Sequence, residues 1–125
     1  MILADTSVLV DNLRGRPEAR VAFGEAFAAG ERIAASVLTK TEILAGVRRG
    51  EERGTQALLD EVEWVPVDDE IAEAAGRLAR RYRESHPGVE VVDYVIAATA
   101  QELAGALWTT NVKHFPMFRE LAAPY

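Results

Sequence analysis

Three carboxylates separated by long stretches of chain, Asp5, Glu42 and Asp93, are of the type and placement that could hold a divalent cation. Asp5 closes a short apolar run and is followed by Thr6 and Ser7, residue types that end a strand and cap the helix behind it. Asp93 opens a stretch to Ala104 that is apolar on nearly every side, the mark of a buried helix. Glu42 follows Leu38 by four and precedes Ala45 by three, so on a helix it sits beside the apolar stripe and is expected to look inward. Thr109, Thr110 and Asn111 leave a further apolar run and, with Thr6 and Ser7, supply neutral oxygens for a phosphate or a coordinated water. Carboxylates brought together repel and are driven to protonate unless a cation neutralises them. Oxygen donors alone suit Mg²⁺ or Mn²⁺ rather than zinc. The chemistry this predicts is metal-assisted hydrolysis of a phosphodiester, with the metal on Asp5, Asp93 and Glu42, and Glu42 orienting or deprotonating the attacking water. Asn111 completes the catalytic set.

The elements that must position these residues follow from periodicity. Residues 1–4 read as a strand, Val8, Leu9 and Leu13 as a helix ending at Gly15, and Pro17 opens a second helix that runs to Gly30. Residues 32–35 form a second strand. Ser36 caps a helix through Val47 that Gly50 ends, and another helix follows around Leu58 and Leu59. A third strand covers residues 64–67, Asp68 and Asp69 start a helix broken at His86-Pro87-Gly88, and the helix from Asp93 is closed by Gly105. Residues 106–109 make a fourth strand, and residues 111–115 a loop, because Pro116 interrupts the run. Strands alternating with helices predict an α/β fold with a mainly parallel central sheet of four to five short strands, covered on both faces. In such a sheet the ligand edge is the one where the strands' C-terminal ends lie.

Length and composition bound what this architecture can be. At 125 residues the chain fits one domain, residues 1–125. Hydrophobic residues at 49% and charged residues at 27% exclude a disordered chain. With no cysteine there is no disulfide, thiolate zinc site or cysteine nucleophile. No apolar run reaches the ~20 residues of a membrane span, and no secretory leader pattern precedes the first strand, so the expected location is the cytoplasm. A net charge of −6 weakens nonspecific grip on nucleic acid, so any basic face must be local. Arginines do cluster, at Arg48, Arg49 and Arg53 and at Arg77, Arg80, Arg81 and Arg83. For each of these, a solvated helix surface with partners such as Glu73 for Arg77 is the plainer reading.

Four blocks in this order resemble the PIN-domain family: residues 1–10 around Asp5, Thr41-Glu42-Ile43 with Gly46 behind it, residues 93–100 from Asp93, and Thr109-Thr110-Asn111 followed by His114-Phe115. Within that family the chain is most similar to VapC-type toxins of bacterial toxin–antitoxin pairs. The resemblance implies a three-layer α/β/α domain, Mg²⁺-dependent endoribonuclease activity, RNA as substrate, and a VapB-like antitoxin whose C-terminal segment occupies the acidic groove. It also implies a homodimer and toxin–antitoxin hetero-oligomers. By resemblance, Asp5, Glu42 and Asp93 take the acidic metal-site positions. The departure is at a fourth acidic position, where Asn111 and His114 stand instead of an aspartate.

That departure keeps open a second reading, a catalytically weak or inactive PIN-fold module that binds RNA or protein. Taken singly, Asp5 and Asp93 are more often helix N-caps than ligands. Asp11 is expected to face solvent, and Asp68, Asp69 and Glu70 to form a capped helix start. His86 reads as a surface loop residue and His114 as one that packs or caps as readily as it contacts phosphate, while Trp64 and Trp108 belong to the core. Walker, GxGxxG and GxSxG patterns are absent.

Overall fold

A computed structural model describes residues 1–125. Four short strands, β1 (Ile2–Ala4), β2 (Ile33–Ser36), β3 (Glu63–Val65) and β4 (Ala106–Trp108), form one sheet in the order β3-β2-β1-β4, with every pairing parallel. Between them lie helices α1 (Thr6–Leu13), α2 (Pro17–Ala28), α3 (Val37–Ala45), α4 (Glu52–Glu61), α5 (Asp69–Tyr82) and α6 (Val91–Glu102). The α/β class and the parallel four-stranded sheet agree with the reading from periodicity.

Strand alternation sorts the core into two layers. Ile2, Ala4, Ile33 and Ala35 project to one face, where they meet Val8, Leu9, Phe23, Ile43, Leu58 and Leu59 of α1–α4. Leu3, Ala34 and Leu107 project to the other, against Ile96, Ala97 and Ala100 of α6 and Phe115. A third cluster, Ile71, Ala75, Tyr94, Val95 and Ala98, seams α5 to α6. Because β1 and β2 are covered on both sides, their residues are small or aliphatic and buried throughout. Trp64 and Trp108 are half-buried against the α1–α4 layer, and Trp108 meets the Phe23 ring at 5.2 Å between centroids. No helix is long and apolar enough to cross a membrane.

The helix ends differ from expectation in instructive ways. α3 stops at Ala45 with Gly46 as its cap, short of the predicted Gly50, so Val47 lies outside it. α6 begins at Val91, two residues before Asp93, because Glu90 and Asp93 form a reciprocal capping box. The predicted loop after β4 contains a turn of 3-10 helix, Val112–His114. Two helices close by the same motif. After α2, the Gly30 N–H donates to the Phe27 carbonyl and the Glu31 N–H to the Ala26 carbonyl, with Gly30 at φ +78°. After α6, Ala104 N–H donates to the Gln101 carbonyl and Gly105 N–H to the Ala100 carbonyl, so the left-handed residue of this closure is Ala104 at φ +50° and not Gly105, the expected closing residue.

β1 sits between β2 and β4, which makes its C-terminal end the point where the strand order reverses. The crossover leaving β1 and the C-terminal segment leaving β4 diverge there, and a depression opens between them. Asp5 and Thr109 are the first residues past those two strands.

Candidate active site

At that reversal point Thr109, fully buried, donates from Oγ1 to Asp5 Oδ2 at 2.7 Å. Ser7 Oγ donates to the same oxygen at 3.0 Å. Asp5 is only 5% exposed and occupies the N-cap position of α1, yet its side chain makes no capping bond. Both chain donors converge on Oδ2, which leaves Oδ1 without a donor from the chain. The backbone reinforces the arrangement. Thr110 N–H donates to Ser7 Oγ at 3.1 Å and Asn111 N–H to Thr109 Oγ1 at 2.9 Å, so the segment after β4 is stitched onto the segment after β1.

A cleft of about 440 Å³ lies over these groups, with Val10 its one hydrophobic lining residue. Asp5, Thr6, Ser7, Glu42, Asp93, Thr110 and Asn111 all line it, whereas Thr109 lies beneath, closed off from solvent. The structure therefore brings the three sequence-predicted carboxylates to one cavity. Glu42 arrives differently from expectation. It is exposed instead of turned into the core, because the buried stripe of α3 is carried by Thr39 and Ile43; its Oε1 accepts from Thr6 Oγ1 at 2.7 Å, which draws it to the cleft wall. Asp93 sits at the third position of α6, where Oδ2 accepts the Glu90 backbone N–H at 3.0 Å. Its Oδ2 also lies 3.4 Å from His114 Nδ1.

Three further polar side chains reach the cleft: Asp11 and His114, weighed in the sequence and left out of the site, and Glu90, which sequence reasoning did not single out. Asp11 is half-buried there, its Oδ2 accepting from Tyr125 Oη at 2.6 Å and from Arg16 Nη1 at 3.1 Å. The signal for it was spacing from Ser7, four residues earlier on α1, which puts both on one helix face. Glu90 lines the cleft as the other half of the capping box. His114 is the only basic side chain in the lining.

Five carboxylates thus face one polar cavity opposite a single imidazole. Burial raises the Asp93 carboxyl above its ordinary value; the Glu90 N–H and His114 pull against that, and the Asp5 charge adds to it. Apart from the His114 imidazole the donor set is made of hard oxygens, which fits Mg²⁺ or Mn²⁺. No three acidic or histidine side chains stand close enough to make a closed cage. Instead, each carboxylate is turned towards donors of its own chain. An arrangement with one or two carboxylate ligands and room for water matches an ion that keeps much of its hydration shell.

The chain's sequence and shape both have known counterparts. It is 52% identical over 125 residues to Ribonuclease VapC19 of Mycobacterium tuberculosis, covering all of both chains. It is 42% identical to Ribonuclease VapC10 of the same organism, covering all of this chain and 93% of that one. Among solved structures, a toxin–antitoxin complex from Klebsiella pneumoniae contains a chain that superposes with a TM-score of 0.81 at 29% identity, over 100% of this chain and 98% of that one. The PIN-domain family model matches residues 2–121, nearly the whole chain including every carboxylate of the cleft. With sheet order, reversal-point cleft and sequence in agreement, the chain belongs to the PIN-domain family.

Proposed function

We propose that this protein is a metal-dependent endoribonuclease acting as the toxin of a VapBC-like pair. The observation that carries the reading is the arrival of Asp5, Glu42 and Asp93, from three separate crossovers, at one polar cleft on the strand-reversal edge. Five carboxylates around that cleft would repel a phosphodiester, so a substrate of that class needs a cation between. Bound Mg²⁺ or Mn²⁺ supplies charge stabilisation on the phosphoryl oxygens and an acidified water.

The chain's own groups do the positioning. Ser7 and Thr109 hold one oxygen of Asp5 still, so the other is presented in a fixed direction. Thr6 holds Glu42 at the wall, where its carboxylate takes a proton from the attacking water. The capping box sets Asp93 at the mouth of α6. Asn111 offers an amide oxygen and Thr110 a hydroxyl to water or phosphate. Single-stranded or looped RNA is the fitting substrate, since an open cleft takes an unpaired strand more readily than a duplex. The VapC ribonucleases and the toxin–antitoxin complex it resembles support a VapB-like antitoxin as its partner; a homodimer at the core of the assembly belongs to the same proposal.

The test is cleavage of a mixed RNA substrate with Mg²⁺, with Mn²⁺ and with EDTA, comparing wild type with Asp5→Asn, Glu42→Gln and Asp93→Asn. Activity is expected with either metal, to vanish in EDTA, and to fall by ~10²-fold or more in each variant while the fold is retained. Cleavage that survives EDTA and all three substitutions overturns the reading. A folded, metal-loaded protein that binds RNA without cutting it establishes the binding-module alternative, which the neutral Asn111 and the imidazole of His114 favour.

A further inference from the structure

α5 carries a basic stripe that neither the core nor the cleft accounts for. Arg77, Arg80 and Arg81 share one helix face by their spacing, Arg83 continues it at the helix end, and all four are exposed. The seam to α6 uses Ile71 and Ala75, which leaves the arginine face free. None of the four is paired with a carboxylate; the arginines that are, Arg14, Arg16 and Arg32, lie elsewhere. The predicted Glu73–Arg77 partnership is not formed. Complementing the helix dipole accounts for basic residues in the last turn, Arg80 and Arg81, but not for Arg77 a turn earlier.

The helix that carries the stripe also leads by a short connection to the cleft wall. His86 N–H donates to the Tyr82 carbonyl at 2.8 Å and Val89 N–H to the His86 carbonyl at 3.2 Å, folding the connection compactly from the end of α5 to Glu90. Glu90 is itself cleft wall. A chain of net charge −6 therefore carries guanidinium groups without carboxylate partners, Arg81 resting 5.5 Å over the Tyr82 ring, on the helix that leads into the wall of a cavity lined by five carboxylates.

We propose that this α5 stripe is the docking track for the RNA backbone running out of the cleft. The inference rests on the nuclease reading above and adds to it the surface that holds the strand. Acidic groups around the scissile position give no grip on flanking phosphates, so affinity must come from cations nearby, and guanidinium groups suit phosphate by geometry and charge. An acidic protein segment is the competing occupant. RNA is favoured because the helix bearing the stripe runs by a short connection into Glu90, a wall of the site where the strand would be cut.

The experiment is fluorescence anisotropy of a short mixed-sequence single-stranded RNA in EDTA, titrated across salt concentrations, beside cleavage assays with Mg²⁺ and Mn²⁺. R77Q/R80Q/R81Q is compared with R48Q/R49Q/R53Q, which removes equal charge from the α3–α4 region, and with R77K/R80K/R81K. The track variant should bind at least ~10-fold more weakly, with its log–log salt slope reduced by about 2, near 0.7 for each phosphate no longer neutralised. The control and the lysine variant should stay close to wild type. Unchanged affinity and slope in the track variant, or equal weakening in the control, overturns the track. Loss of poly-glutamate binding with RNA binding retained overturns it in favour of an acidic protein partner. Wild type that binds through the stripe but never cleaves refutes the nuclease reading and leaves the track standing; wild type that cleaves while the track variant is unaltered does the reverse.

Discussion

Replacing Thr109 by Val removes one hydroxyl from beneath the cleft and leaves shape nearly unchanged. That hydroxyl donates to Asp5 Oδ2 at 2.7 Å and accepts the Asn111 N–H at 2.9 Å, at a site with no solvent exposure. A hydrogen bond to a charged group contributes about 1.5–3 kcal/mol, and an orphaned backbone N–H adds about 1 kcal/mol, so the cost is roughly 2–4 kcal/mol. In a domain of this size that lowers the thermal midpoint by roughly 10 °C. The measurement is thermal and urea unfolding in EDTA, which keeps any metal out of the comparison. Thr109→Ser, which keeps the hydroxyl, should recover most of the loss. A double-mutant cycle with Asp5→Asn should show a coupling of about 1 kcal/mol or more. If the valine variant unfolds within about 0.5 kcal/mol of wild type, the bond does not hold Asp5 and the positioning argument fails.

Ala104→Gly should raise stability by up to about 1 kcal/mol in urea unfolding, because φ +50° is strained for alanine and the two closing bonds after α6 are backbone ones that glycine keeps. Asp93, whose carboxyl is raised in the folded protein chiefly by burial, holds a proton that the unfolded chain has released just above the ordinary carboxylate value. Stability from this group therefore falls as pH rises through that window, and Asp93→Asn should flatten the fall in metal-free protein; parallel pH profiles for the two proteins refute it. Tyr125→Phe frees Asp11 from its 2.6 Å bond and should cost about 1–3 kcal/mol, and the late-ionising phenol that burial and Asp11 produce should vanish from the absorbance titration.

The layer architecture was legible because periodicity reports burial directly. Ile2, Ala4, Ile33 and Ala35 against Leu3 and Ala34 divide the two sheet faces by parity alone. What misled was local end chemistry. Ala104 took the left-handed position because the bonds from Ala104 and Gly105 close α6 one residue earlier than the glycine itself marks. α3 ended at Gly46 although Val47 kept the apolar pattern, since hydrophobicity alone does not say where the backbone leaves the helix.

The same distinction explains which site residues could be read from the chain. Asp5, Thr109, Thr110 and Asn111 follow strands, so topology alone delivers them to the reversal edge. Glu42 was found for a reason the structure alters: it was placed by nearness to the apolar stripe, whereas a hydrogen bond from Thr6, thirty-six residues away, brings it to the cleft. Asp11 and Glu90 were missed for want of the right origin. Counting from Ser7 instead of Asp5 puts Asp11 one helical turn on, and starting α6 at Val91 makes Glu90-x-x-Asp93 a capping box whose two carboxylates flank the same opening. The cleft therefore carries more negative charge than the three predicted residues supply, and on the nuclease reading proposed above a polyanionic strand would need cations from outside that set, a metal within the cleft and the carboxylate-free arginines of α5 beyond it.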